Sequence, residues 1–199
     1  MATFIFELMG IVYKEDDLFG IVKTVLKDCG YTLDMETLKT NYDEFVKGNL
    51  DEPHFWKKLN FKNHTMARKL ILEKVETSLD SGFVELLSNL AGHRIVVKGN
   101  IPQEWGEYVL ESSGISNMVH SFIFSGTMGG DVNDGQLIAK LKEKLGTMVV
   151  IESSLDVYSK MVAAQMPTIL LVRKPMKLNG IKPEVMISDL RQVEAIFKK

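Results

Sequence analysis

The stretch FIFELMGIVYK, Phe4 to Lys14, decides how the rest of the chain is read. Phe4, Ile5 and Phe6 form a run of β-forming residues with no in-and-out alternation, the pattern of a strand covered on both faces. Glu7 closes the run with a carboxylate, and Gly10 follows three residues later. Ligand crevices of open α/β sheets lie outside the carboxyl ends of the strands, so Glu7 is the first candidate for a functional position.

Runs of the same kind recur along the chain: RIVVK at Arg94 to Lys98, SFIFS at Ser121 to Ser125, MVVIE at Met148 to Glu152 and TILLV at Thr168 to Val172. Helical patterns separate them, which predicts a parallel sheet with crossover helices. VMISDL, Val185 to Leu190, predicts a short edge strand whose Ser188 or Asp189 caps a final helix. Between Tyr13 and Gly92 no strand pattern occurs. DLFGIVKTVLKDCG, METLKTNYDEFVKG, HFWKKLN and TMARKLILEKVETSL instead place apolar residues three and four apart, and SGFVELLSNLAG returns to the sheet. GYTLD, GNLDEP and NFKNH are the breaks. The expected fold is α/β: a doubly wound, Rossmann-like parallel-sheet core formed by residues 1–12 and 80–199, with an inserted helical-bundle cap over residues 13–79. No repeat of twenty to fifty residues is present, which excludes solenoids.

Composition narrows the function classes. The chain has 199 residues, 45% of them hydrophobic and 25% charged, which suits one well-cored globular unit. A net charge of −2 with dispersed lysines gives no basic field for nucleic acid. Cys29 stands alone, so neither an intramolecular disulfide nor a cysteine metal site can form, and its expected role is packing. The apolar amino-terminal stretch has no basic leader and contains Glu7, and no run approaches the ~18 apolar residues of a membrane span. A cytoplasmic protein without membrane partners is expected.

The order of elements, with a helical insertion after the first strand, resembles the haloacid dehalogenase-like (HAD) hydrolases, and the resemblance covers most of the chain. The family's opening motif, FDxDGT, aligns with Phe6 to Ile11: Gly10 and the apolar frame match, whereas Glu7 and Met9 stand at the two aspartate positions. VVKGNIPQEWGEYVLESSGI, Val96 to Ile115, is similar to the second motif; Asn100 is in place and Gly99 occupies the Ser/Thr position. GGDVNDGQLIAKLKEKLG resembles the segment that presents a lysine before a helix; the matching position lies near Val132, and Lys140 sits about two turns into the helix. In VVIESSLDVYSKMVAAQMPTILLV the turn into the fifth strand is kept, Glu152, Ser153 and Ser154 replace Gly-Asp-Ser, and Asp156 remains.

In the family's phosphatases the resemblance implies a nucleophilic first aspartate, a second aspartate moving protons, a magnesium ion offsetting phosphate charge and a steadying lysine. Glu7 keeps the charge but lengthens the arm by one methylene, ~1.5 Å, where a misplacement of about 1 Å is already costly. Met9 moves no proton, forfeiting help typically worth ~10²–10⁴-fold. Gly99 and Val132 remove a hydroxyl and a cation. What survives is acidic: Glu7, Glu152 and Asp156 are expected to gather at adjacent strand ends, favouring a cation or raising one another's pKa, with Lys98 neutralising one of them.

The leading expectation is therefore a HAD-like fold that is catalytically inactive or severely weakened, a pseudoenzyme keeping a cleft lined by Met9, Gly10, Lys98, Gly99 and Asn100 for a small phosphorylated molecule or a protein partner. Its cofactor is none. The alternative is a magnesium-dependent phosphatase of a small phosphorylated metabolite with Glu7 as nucleophile and Glu7, Glu152 and Asp156 holding Mg²⁺; a dehalogenase needs the same nucleophile. A third reading is an interaction protein using the exposed cap surface. For Glu7 itself, a strand-end acid paired with Lys98, a metal ligand and a nucleophile all stay open. Met9 is expected to pack against the cap, GGDVNDG to be an ordinary turn, Phe55, Trp56 and Leu59 to be core, and the four histidines, which have no metal-ligand spacing, to lie on the surface or in loops.

Overall fold

The structure is a computed structural model that describes residues 2–32 and 34–197. Among these, six strands form one parallel sheet: β1 (Thr3–Glu7), β2 (Arg94–Gly99), β3 (Ser121–Phe124), β4 (Met148–Glu152), β5 (Thr168–Leu171) and β6 (Val185–Ile187), in the order β3-β2-β1-β4-β5-β6. The apolar runs are strands because both faces are covered. Phe4 and Phe6 enter the larger apolar cluster on one face, while Ile5, Val96 and Val150 join a smaller, methionine-rich cluster with Met148, Met161 and Met166 on the other. The chain leaves β1 toward β2 and β3 and later returns to the other side of β1 with β4. The strand order thus reverses between β1 and β4, the place where open α/β sheets bind ligands.

Four helices follow β1: α1 (Leu18–Asp28), α2 (Met35–Val46), α3 (Glu52–Lys58) and α4 (His64–Glu76), and α5 (Ser81–Asn89) leads into β2. Aspartates set the starts of α1, α2, α3 and α5, whereas Asn63 before α4 makes no side-chain cap bond. Asp17 accepts from Gly20 N at 2.8 Å, Asp34 from Glu36 N at 3.1 Å, Asp51 from His54 N at 2.8 Å and Asp80 from Gly82 N at 2.7 Å. Each satisfies a backbone donor that a helix start leaves open, an effect worth about 1 kcal/mol per cap.

The rest of the chain supplies α6 (Gln103–Ser112), the single turn α7 (Ser125–Met128), α8 (Gly135–Leu145), α9 (Leu155–Ala163) and α10 (Gln192–Phe197). The inserted helices share their apolar interior with α6. Phe45 stacks on Phe55 at 4.7 Å between ring centroids and meets Trp105 edge-on at 5.1 Å, and Trp56 lies 6.3 Å from Trp105. Phe55, Trp56 and Leu59 are buried as their helical spacing predicts, and Cys29 packs against the same cluster as a free thiol. Among the described residues no helix is long and apolar enough to cross a membrane.

The two connections between sheet and insertion run side by side. Lys14 N donates to Ser78 O at 2.8 Å, Asp80 N donates to Val12 O at 2.9 Å, and Tyr13 bridges Leu79. Arg173, just past β5, ties them together: its guanidinium donates to the Gly10 carbonyl, to the Ile11 carbonyl at 3.0 Å and to Asp80 Oδ2 at 2.6 Å.

Candidate functional site

The strand register brings three charged side chains to the switch point. Glu7 is paired with Lys98 across β1 and β2, and Phe6 with Ile151 across β1 and β4, so Glu152 follows on the neighbouring strand. The Lys98 ammonium donates to Glu7 Oε2 and Asn133 Oδ1 and lies 2.6 Å from Glu152 Oε1. Lys98 is 2% exposed, Glu152 is fully buried and the Glu7 side chain is 13% exposed. Glu152 Oε1 is in close ion-pair contact with the ammonium, and Oε2 has no hydrogen-bond partner among the described residues.

Burial dominates the proton affinities here, because a charge leaving water is costly. It pushes the Glu152 carboxyl up to about 7, opposed by Lys98 and reinforced by Glu7. Glu7 is also raised, again by burial, with Lys98 opposing and Asp131 adding a smaller push. For Lys98 burial works toward the neutral amine, but the two carboxylates outweigh it and hold its pKa above the ordinary lysine value. Near neutral pH the cluster is an ammonium between two carboxylates, one of which readily takes a proton.

The GGDVNDG segment is more than a turn. Asn100 Nδ2 donates to Asp131 Oδ1 at 2.7 Å, and Val132 N donates to Asn100 Oδ1 at 3.1 Å, so Asn100 anchors the loop with both ends of its amide. The anchored loop delivers Asn133 to Lys98. The cation that the family resemblance expects on this loop comes instead from β2, and Lys140 sits exposed on α8. Two glycines fix the surrounding backbone. Gly10 has φ +83°, and a Cβ there would collide with the Ser153 hydroxyl; a Cβ on Gly99 would lie 2.9 Å from Leu8 Cβ. Leu8 therefore occupies the space that a Ser or Thr side chain would need at position 99.

A cavity of about 420 Å³ opens above this cluster. Of the residues expected in a cleft, Met9 and Asn100 line it, Lys98 lies buried beneath Glu7 and Glu152, and Gly10 and Gly99 shape its backbone. Met9 is 8% exposed and belongs to the core cluster shared with the inserted helices. Asp16, Asp17, Phe19 and Tyr42 also line the cavity and were missed from the sequence, although the run KEDDLF directly after the first strand placed acids and an aromatic where the insertion begins. The expected carboxylate trio does not form: Asp156 lies in the first turn of α9, 75% exposed, 2.7 Å from Lys160. An acid at the second residue of a helix is pulled toward solvent and its i+4 lysine. Among the described residues no group of three or more histidines, cysteines or acids is arranged to hold a metal. Magnesium does not fit Glu7 and Glu152 as they stand, because the Lys98 ammonium already fills the space between them.

A larger cavity, about 530 Å³, lies against α3 and α4 beside Trp56, Phe61 and Arg68, away from the sheet. Its acid, Glu52, is already engaged by Arg68 at 2.9 Å and by the Trp56 indole at 3.0 Å.

No protein-family model and no curated protein sequence matches the chain. Solved structures do match in shape. The HAD-hydrolase YfnB from Bacillus subtilis, bound to magnesium, superposes with a TM-score of 0.65 at 14% identity over 100% of this chain and 99% of its own. The 2-haloacid dehalogenase from Pseudomonas syringae pv. Tomato gives 0.68 at 13% identity over 100% and 98%. A HAD family enzyme from Bacteroides thetaiotaomicron, in complex with magnesium and inorganic phosphate, gives 0.68 at 12% identity over 92% and 100%. The chain has the fold of the haloacid dehalogenase-like hydrolases from end to end.

Proposed function

We propose that the protein is a non-catalytic binding member of this fold, using the cavity between the sheet and the inserted cap, residues 13–79, to hold a ligand. The observation that carries this reading is the position of Lys98. A carboxylate nucleophile must approach phosphorus freely and in line, whereas Glu7 is held by a buried ammonium that it shares with Glu152. Moving the ammonium aside to admit magnesium would strand a buried cation and break contacts to Glu7, Glu152 and Asn133 together. Met9 offers no proton, and Leu8 blocks the position where a hydroxyl would bind the transferred group. Lys98 takes the electrostatic place of the metal, and the site is stable without chemistry.

The test is an assay of the purified protein against a panel of phosphomonoesters, with and without magnesium, beside Glu7→Gln. The expected result is no difference between the two proteins and no magnesium dependence. Turnover that needs both magnesium and Glu7 would overturn the reading in favour of a rewired phosphatase.

A further inference from the structure

We infer that the cavity takes a small organic cation, with a primary ammonium head held by Glu152 and Asp16 and an apolar body lying against Phe19 and Tyr42. The inference deepens the non-catalytic reading and rests on it. Four carboxylates, Glu7, Glu152, Asp16 and Asp17, face the cavity, and no lysine, arginine or histidine is among the residues lining it. Lys98 is spent beneath it on Glu7, Glu152 and Asn133. An entering phosphate or carboxylate would meet like charge and no free cation, which makes the cavity selective against anions.

Glu152 supplies the independent sign of a ligand. Its side chain is buried and lines the cavity; Oε1 lies 2.6 Å from the Lys98 ammonium, and Oε2 has no hydrogen-bond partner among the described residues. Buried acceptors are ordinarily satisfied, and an ammonium with three donors satisfies this one while offsetting its charge. The opposite wall explains the apolar body. Phe19 and Tyr42 pack at 5.1 Å between ring centroids where α1 meets α2, and Leu18, Met9 and Val157 continue the surface. Aromatic faces beside carboxylates are the surroundings in which ligand cations are held. Lys39 Nζ already sits 5.4 Å from the Phe19 ring centre, a cation of the chain itself using this aromatic.

The test uses three probes of one shape and different charge, benzylammonium, benzyl alcohol and benzoate, together with inorganic phosphate, titrated calorimetrically into the whole protein. Saturable binding of benzylammonium is expected, ~10-fold or more tighter than benzyl alcohol, weakening as salt rises, with no binding of benzoate or phosphate. Glu152→Gln is expected to weaken benzylammonium ~10-fold. Asp16→Asn, at an exposed position, is expected to weaken it ~3-fold or more, and it carries the test if Glu152→Gln fails to fold. Equal affinity for amine and alcohol, or binding of benzoate or phosphate in the cavity, would overturn the inference. If the phosphomonoester assay stays silent while benzylammonium shows no preference, the cation inference alone falls; magnesium-dependent turnover would remove the non-catalytic reading beneath it.

Discussion

Two regions of this molecule bury charge, and they do so in opposite ways. At the paired connections, Arg173 and Asp80 close a complete circuit: the guanidinium meets two carbonyls and a carboxylate, and the other Asp80 oxygen caps α5 through Gly82 N. At the switch point, Lys98 serves two carboxylates at once and leaves Glu152 Oε2 without a hydrogen-bond partner among the described residues. The first cluster is balanced and holds the two connections to the sheet. The second has surplus negative charge facing a cavity. A buried ion pair says little about function until its donors and acceptors are counted; satisfied ones fix structure, and unsatisfied ones point to something that is to be bound.

The largest expected effect comes from removing the cation that serves two acids. Lys98→Met leaves Glu7 and Glu152 buried together without compensation, which should cost about 3–5 kcal/mol in urea unfolding, the range for breaking a buried pair from one side. Adding Glu152→Gln to Lys98→Met should recover a large part of that loss, because one uncompensated charge disappears. A loss no greater than that of an exposed lysine would remove the distinction between the two regions.

Next is a pH effect confined to the switch point. The unfolded Glu152 carboxyl titrates near 4.5 and the folded one at about 7, so between these values the native state holds the extra proton. Stability must therefore fall as pH rises from about 4.5 to about 7, by up to about 3 kcal/mol at ~1.4 kcal/mol per pKa unit. Glu7, which faces Glu152 from β1 and is raised by burial, contributes in the same direction; Lys98 from β2 and Asp131 beside α8 set the field. Glu152→Gln should flatten this slope, as followed by urea midpoints across the range. Protons compete with a bound ammonium for the same oxygens, so benzylammonium affinity should rise over the same interval.

Arg173→Met should cost less, about 2 kcal/mol, the scale of hydrogen bonds to a charged group. Both partners reach solvent, at 22% and 12% exposure, and water can replace part of what is lost. Hydrogen exchange should quicken at the two connections while the switch-point amides keep their protection. Slowed exchange there, or protection lost across the whole sheet, would show that Arg173 does something other than join the connections.

Much of this was legible in the chain. The strands, the helical insertion and the carboxyl-end placement of Glu7 and Glu152 follow from unalternated apolar runs and three-four spacing, local signals that tertiary packing reinforces. The Lys98–Glu7 contact follows from parallel pairing of two strands whose apolar runs end on these two residues. Asn133 was not legible, because it arrives through a loop whose anchor, Asn100, lies thirty-odd positions earlier and bonds with both ends of its amide. Asp17 caps α1, and that Asp16 and Asp17 also line the cavity depends on where the segment between β1 and α1 runs in space, which no local pattern in the chain encodes. The trio with Asp156 failed on rotation: four positions beyond Glu152 a helix has already turned that side chain outward.

That failure yields the smallest expected effect and a sharp control. Asp156→Asn removes a carboxylate that is 75% exposed and paired, among the described residues, with Lys160 one turn along α9, the kind of surface pair that contributes little. Its urea midpoint should match the unaltered protein within experimental scatter, and its benzylammonium affinity should be unchanged, whereas Glu152→Gln moves both. The same substitution also probes the alternative reading in which magnesium is bound. If calorimetry found a magnesium affinity that Asp156→Asn abolished, the acid would have to swing inward and displace Lys98 from Glu152, and the surplus charge at the switch point would belong to a metal instead of an amine. An unchanged titration with Asp156→Asn, beside a lost one with Glu152→Gln, would leave the unpartnered oxygen of Glu152 as the group that selects the ligand.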